Sequence, residues 1–357
     1  MHLINMKKFA KRLTPLVSVL ILTYNRTDLL KNCLDSVLKS DYPNLEFIIS
    51  DNASQDDIAW FVKKNYSRKK IKVYRKKKNG GLTGGFNFGY QYCKGKYVML
   101  LCNDTTITKK SISEMVKILE NDSKIGAIAP KVTQMKNTGY IHSAGSFLTS
   151  TGLLYHYGVY QKDSKKYQKS YYVFSTTGAG FLVRSETIIK SGLYSEDFFM
   201  AYDESDLCHR IWLSGYTIVY CPKAEIKHIW SATMDSGKPV LWFWNQRNVI
   251  SSTIMNFSIP YLIPMLVMVN MAFIFWFFLR IYRGEFRHAL TLPQAYFWHL
   301  FHFKQTLKER KKVQEKIRQV SDQEIFQKAM VNPDFGYYLI HFGRKYQESN
   351  LPDRVLY

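Results

Sequence analysis

A doubly wound, mostly parallel α/β sheet followed by a helical C-terminal region is the fold this sequence predicts. Three observations carry it. Apolar, β-branched runs alternate with segments of helical periodicity through the N-terminal third of the chain. Several of those runs end in polar clusters, as strands do at the ligand-binding edge of an open parallel sheet. Near the C-terminus one long uncharged stretch replaces the alternation.

Taken in order, the run Leu16 to Leu22 has no polar alternation and reads as a strand buried on both faces. Leu29, Leu30, Cys33, Leu34, Val37 and Leu38 then recur at helical spacing, predicting a helix over Thr27 to Ser40. Further strands are expected at Leu45 to Ser50, Ile71 to Arg75 and Tyr97 to Cys102. Helices are expected around Asp56 to Asn65 and Gly84 to Cys93. Ile112, Met115, Val116 and Leu119 mark one face of another helix. The segment Phe257 to Leu279 carries no charge and is long enough to cross a bilayer as a helix. Pro260, Pro264 and Asn270 interrupt it, so a clean span, a kinked or re-entrant insertion and a buried core helix all stand as readings. Arg280, Arg283 and Arg287 follow, with Tyr296, Phe297, Trp298, Phe301 and Phe303, a mixture suited to an anionic membrane surface. The run Lys308 to Arg318 reads as a solvated helix face. The division expected is a basic N-terminal extension, 1–15, a catalytic domain, 16–252, and a membrane-associating helical region, 253–357.

Composition narrows the class. With 46% hydrophobic residues in 357, the chain can bury a sizeable core. A formal charge of +22 favours anionic partners. Nucleic acid is not expected among them, because no recognition module is present. Five cysteines, an odd number without a CxxC pair, read as reduced thiols of a cytosolic compartment. The N-terminus lacks the apolar stretch of a signal peptide.

The chemistry sits at the strand ends. Thr23-Tyr24-Asn25-Arg26, Asp51-Asn52-Ala53-Ser54 and Asn103-Asp104-Thr105 close three strands and should converge on one crevice. Neither a G-x-G-x-x-G turn after the first strand nor a P-loop is present, which disfavours a nicotinamide enzyme and a P-loop NTPase. Instead the glycines of Asn79 to Gly89, NGGLTGGFNFG, would let backbone N–H groups approach an anion at a helix start.

Taken together, VSVLILTYNR, SDNAS, NGGLTGGFNFG and LLCNDT resemble the nucleotide-binding half of family 2 glycosyltransferases, whose fold is the Rossmann-like A type. The resemblance continues through Thr177-Gly178-Ala179-Gly180-Phe181, Phe198 to Arg210, His228, and Arg247-Asn248 in an aromatic setting. It covers roughly Val17 to Ser252 and is nearest in character to bacterial rhamnosyltransferases of surface-polysaccharide synthesis.

What the resemblance implies is an inverting, metal-dependent sugar transfer. The donor would be a dTDP- or UDP-sugar and the acceptor lipid-linked or a polysaccharide, at the cytoplasmic face of the membrane. Rhamnose is the favoured sugar, with galactofuranosyl or hexosyl donors, an inactive scaffold of the same fold, and a homo-oligomer as open alternatives. Asp104 would hold Mg2+ or Mn2+, which neutralises a leaving diphosphate. Cys102 stands where the family pattern has a first acid or amide, so Asp104 would be that motif's sole carboxylate on the metal. His228 would be a further ligand or a diphosphate contact. Thr23, Tyr24 and Asn25 would meet the base, Arg26 the base or a phosphate, and Asp51 a pyrimidine N3–H or ribose hydroxyl. Asn52, Gly81, Asn87 and Asn103 complete the donor side. Gly178, Ala179, Gly180, Asp206 and Arg247 are assigned to the acceptor. The catalytic base lies within Asp203-Glu204, either member, with its pKa raised by burial and like charge.

Overall fold

The computed structural model describes residues 14–229, 237–338 and 351–357. Residues 1–13 of the expected extension, and 230–233 of the segment following His228, lie outside the described residues. The first half runs β1 (Val17–Thr23), α1 (Thr27–Val37), β2 (Leu45–Asp51), α2 (Ile58–Tyr66), β3 (Ile71–Arg75), α3 (Gly81–Tyr90) and β4 (Tyr97–Cys102). Next come β5 (Thr105–Ile107), α4 (Ser111–Asn121), β6 (Ile125–Gln134), β7 (Ile141–Ser143), β8 (Ser146–Leu148), β9 (Leu154–His156), β10 (Gly180–Arg184) and α5 (Ser185–Ser191). The chain continues through α6 (Asp203–Leu213), β11 (Thr217–His228), α7 (Pro239–Asn256), α8 (Ile259–Tyr282), α9 (Phe286–Ala289), α10 (Thr291–Lys312), α11 (Asp322–Ala329) and α12 (Phe335–Tyr338).

Strands pair in the order β3-β2-β1-β4-β10-β6-β11-β5. The first four are parallel. Strand β10 runs antiparallel to both neighbours, so the sheet is mixed in its second half. Strand β1 shows why its run lacks alternation: Leu20 and Leu22 join the core on one face, while Val17, Val19 and Ile21 join that on the other.

The glycine-rich helix begins at Gly81, three residues before the expected start at Gly84. Glycine is a poor helix former, and here close packing replaces propensity. A Cβ on Gly85 would come within 2.3 Å of the Leu22 side chain, and one on Gly89 within 2.5 Å of Leu20. Helix α3 therefore lies directly on β1.

Two C-terminal expectations are corrected. The boundary expected at 252–253 falls inside α7, whose residues Gln246 to Asn256 are all buried. The run Lys308 to Arg318 is not simply a solvated face. Val313 and Ile317 enter the main core, and polar side chains around them cap α7. Arg310 donates to Phe257 O (2.7 Å), Gln314 to Met255 O (2.9 Å) and Asn256 O (3.0 Å), and Arg318 to Asn256 O. Cationic donors satisfy the unpaired carbonyls and the negative end of a helix. Helix α8 is continuous through Pro264.

Candidate active site

Asp51, Asn52, Asn103 and Asp104 follow directly from the parallel strands β2 and β4, and all four are buried. The loop after β1 passes through left-handed backbone at Asn25 and Arg26, both at φ 57. Side-chain bonds hold it there: Ser54 Oγ accepts from Asn25 N (2.8 Å), and Asn25 Oδ1 from Gln55 N (2.6 Å). Asn103 Nδ2 donates to Thr23 Oγ1 (2.9 Å). Asp51 accepts from Ser54 N (2.9 Å) and lies 3.4 Å from Arg75 Nη1. Tyr24, 40% exposed, presents its ring to solvent, and Arg26 pairs with Asp28.

The glycine loop works differently from expectation. Gly80 N donates to Asn52 Oδ1 (3.0 Å), Gly81 N to Asn79 Oδ1 (2.8 Å) and Thr83 N to Phe199 O (3.2 Å). These amides are taken up inside the protein, so they form no anion cradle. What Gly81 supplies is room, since at φ +69 a Cβ would sit 2.2 Å from Phe199 O. Asn52 and Asn87 are likewise linkers. Asn52 Nδ2 reaches Asn79 Oδ1 and Gly81 O, and Asn87 exchanges two bonds with the Tyr194 backbone.

Asp104 is the least satisfied acid at these strand ends. It is 7% exposed, and its Oδ1 is buried without a hydrogen-bond partner among the described residues. Its Oδ2 lies 3.5 Å from His228 Nε2. His228 reaches this point because β11 pairs with β5, opposing His228 to Thr105. Its other ring nitrogen lies 2.8 Å from His142 Nδ1, and the two rings stack. Burial pushes His142 down to about 3, so its ring is neutral and one of the facing nitrogens donates to the other. A hard divalent cation suits a carboxylate with one orphaned oxygen and an imidazole beside the other. Sequence reasoning missed His142, which no local pattern distinguishes from any other strand histidine.

Cys102 points inward. Its thiol donates to Gly178 O (3.2 Å), tying β4 to the turn Gly178–Gly180. Burial foremost, and the carboxylates of Asp104, Asp203 and Glu204, push that thiol well up. Acids from two parts of the chain, Asp104 and the adjacent pair Asp203-Glu204, thus act on one thiol. Asp203 and Glu204 open α6 after Tyr202, a left-handed residue at φ 60. Asp203 is 2% exposed with Oδ2 unpartnered, and burial and then Glu204 raise its pKa well up. Glu204 faces Gly178, where a Cβ would meet Glu204 Oε2 at 3.7 Å. Burial raises its carboxyl to about 7.

Two residues assigned to the acceptor are engaged elsewhere. Asp206 is fully buried. It accepts from Arg210 Nε (3.0 Å) and Nη2 (2.9 Å), Ser252 Oγ (3.0 Å) and Asn256 Nδ2 (2.8 Å). Arg247 donates to Asp197 O (2.6 Å) and Phe198 O (2.9 Å). The strong bonds of both groups are internal, so each braces the structure around the site. Beside Arg247, Asn248 Nδ2 donates to Phe198 O (3.0 Å), Met200 O (2.9 Å) and Ala201 O (2.7 Å). The loop it pins has positive φ at Phe199, Ala201 and Tyr202, conformations that cost energy in non-glycine residues. Asn248→Ala should therefore lower stability by about 2 kcal/mol and loosen the loop that leads into Asp203 and Glu204. Thermal unfolding and the protease sensitivity of this loop, measured on one preparation, check both effects.

A family model described as Glycosyl transferase family 2 matches residues 18–189. An uncharacterized protein of Sinorhizobium fredii, y4gI, is 26% identical over 232 residues, 62% of this chain and 25% of that protein. The Campylobacter jejuni protein named GalNAc(5)-diNAcBac-PP-undecaprenol beta-1,3-glucosyltransferase is 26% identical over 199 residues, 52% of this chain and 56% of that one. The chain thus aligns with a quarter to just over half of these two relatives' lengths. Among solved structures, the mannosyltransferase PcManGT from Pyrobaculum calidifontis, in complex with GDP-Man and Mn2+, superposes at a TM-score of 0.51 and 16% identity. The match covers 87% of this chain and 92% of that one. The fold is the glycosyltransferase A type, and the family model with the named glycosyltransferase relative supports family 2.

Proposed function

We propose that this protein is a family 2 glycosyltransferase that transfers a sugar from a nucleotide-sugar donor, with inversion and with a divalent metal ion, to a lipid-linked or polysaccharide acceptor. The observation that carries the proposal is the placing of two kinds of acid around Cys102. Asp104 keeps one oxygen unpartnered and turns the other toward His228, and burial raises the Glu204 carboxyl to about 7 beside the Gly178 turn.

In this reading Asp104 and His228 hold Mg2+ or Mn2+. The bound ion would neutralise charge on the leaving nucleoside diphosphate. Asp51 and the exposed ring of Tyr24 bind the base and ribose, with Arg26 at the rim. Glu204 accepts the proton of the acceptor hydroxyl, which attacks the anomeric carbon from the face opposite the leaving group, so configuration inverts. Asp203, deeper and held protonated, stays a hydrogen-bond donor and does not compete as base. Residues Gly178–Gly180 form the acceptor-side wall.

The lipid-linked acceptor is favoured by the C. jejuni relative, whose name specifies an undecaprenol-linked substrate, and by the apolar helix α8. A membrane location goes with such an acceptor, and the cytoplasmic face is the side proposed. Rhamnose from a dTDP donor is the sugar proposed, on the sequence resemblance.

The test is release of nucleoside diphosphate by protein purified in mild detergent, given Mn2+ or Mg2+ and a panel of dTDP- and UDP-sugars. One donor should turn over slowly against water and stop with EDTA. If calorimetry shows that none of the panel binds the folded, metal-supplemented protein, the proposal fails.

A further inference from the structure

Helix α8 has two unlike faces. Met265, Val269 and Phe273, four residues apart, are buried. A Cβ on Gly152 would come within 2.7 Å of Val269 Cγ2, so the helix is seated on the catalytic core. The opposite face is bare: Ile263, Val267, Met271, Phe275 and Phe278 are exposed, the last by 62%. Helix α10 repeats the pattern. Leu292, Ala295, His299 and Thr306 are buried, while Phe297, Leu300, Phe301 and Leu307 face solvent. Tyr296 Oη joins the two helices through Asn270 Oδ1 (2.6 Å).

Charge indicates what covers this face. From Ile259 to Lys312 the sequence has eight Arg and Lys against two Glu. Arg283 and Arg287 stand exposed after α8, and Lys304, Lys308 and Lys311 along the second half of α10. A second copy docking through this face would bring two such basic sets together. Anionic lipid headgroups neutralise them, while exposed Phe and Leu enter the acyl boundary.

We infer that α8 and α10 form one platform lying in the plane of an anionic bilayer, and that α8 does not cross it. This deepens the membrane location proposed above and rests on it. At 24 residues α8 is long enough to span, but it is fastened to the protein from end to end. Ser258 N donates to Asp322 Oδ2 (3.0 Å) at its start, Val269 sits at Gly152 in its middle, and Arg280 lies over Trp242 (4.5 Å) near its end. Crossing would strip these contacts or draw Asp322 and the polar α7 into hydrocarbon. The platform also lies close to the crevice. Trp276 of α8 meets Trp242 (6.4 Å), and Trp244, two residues on, meets the Phe199 ring (4.8 Å) that packs at Gly81. A headgroup-linked acceptor would then reach the site without leaving the bilayer.

The experiment places nitroxide labels at Ile263→Cys, Met271→Cys and Phe278→Cys in the full chain bound to phosphatidylglycerol-containing vesicles. The unsubstituted chain, labelled in parallel, supplies the background of its own thiols. All three labels should report the same shallow depth, about 5–10 Å below the headgroups. A Met271 label much deeper than the other two would show a span and overturn the inference. Flotation should fall about tenfold on pure phosphatidylcholine or in high salt, and as much for Phe275→Glu/Phe278→Glu and for Leu300→Glu/Phe301→Glu. Equal flotation of both variants, no flotation of the parent chain, or a lipid-free dimer that buries the labels would each overturn it. Donor turnover without lipid reads the transfer reaction separately, so a dead enzyme with in-plane labels refutes the proposed function and not the platform.

Discussion

Asp104→Ala should lose metal-dependent nucleoside diphosphate release by about a thousandfold or more, roughly 4 kcal/mol of barrier. It should do so without unfolding the protein. The Asp104 side chain has an unpartnered buried oxygen, so its removal deletes a partly unsatisfied group and ends only the long 3.5 Å approach to His228 Nε2. The backbone bond from Ile229 N to Asp104 O (3.1 Å), which positions the end of β11, survives the change. A thermal midpoint at or above that of the parent chain, together with collapsed turnover, is the expected pair. Turnover within tenfold of the parent in Mn2+ would remove Asp104 from the metal and with it the proposed role of His228.

Glu204→Gln should lower turnover by about a hundredfold to ten-thousandfold, the usual range for a missing general base. The pH dependence gives the sharper readout. With the carboxyl raised from 4.5 to about 7, turnover of the parent chain should climb through neutrality and level off above it, while the variant stays low and flat. Stability runs the other way. A carboxyl with a raised folded pKa is bound to its proton more tightly in the native state. The parent chain therefore loses stability as pH rises from about 4.5 to about 7, and does not regain it above that. At pH 8 the Gln variant should be more stable than the parent by about 1–3 kcal/mol, with the difference vanishing near pH 4. Asp203→Asn, which keeps a neutral donor in place, should retain more activity than Glu204→Gln. The reverse ranking would make Asp203 the base. Denaturant titrations at three pH values and initial rates across the same range decide it.

Much of the first half of the molecule was legible in short-range pattern. Strands β3 and β4 lie at their expected residues, and β1 and β2 within one residue. The apolar runs of β1 and β4 are buried on both faces, and a buried parallel strand has no other way to be written, whereas β3 is an edge strand whose residues are only partly covered. Asp51 and Asp104 were legible for a related reason: a polar residue that abruptly ends such a run marks the carboxyl edge of the sheet. The start of α3 was not, because its residues are helical through the close approach of Gly85 and Gly89 to β1 and not through propensity.

The sequence by itself thus determined the order of strands and helices in the nucleotide half, the acids at the strand ends and the presence of an apolar helix. Only the tertiary structure decided what each polar group does. Asp206 and Arg247 resembled acceptor contacts, yet their partners are Arg210, Ser252, Asn256 and the carbonyls of Asp197 and Phe198. Asn248 supports a loop nearly fifty residues away, and His142 meets His228 across 86. The basic run across the end of α10 was read as solvated and instead caps α7. Hydrophobic burial follows a period of two or 3.6 residues and so leaves a local trace. A directional hydrogen bond between distant segments has no period, and its partner emerges only when the chain has folded.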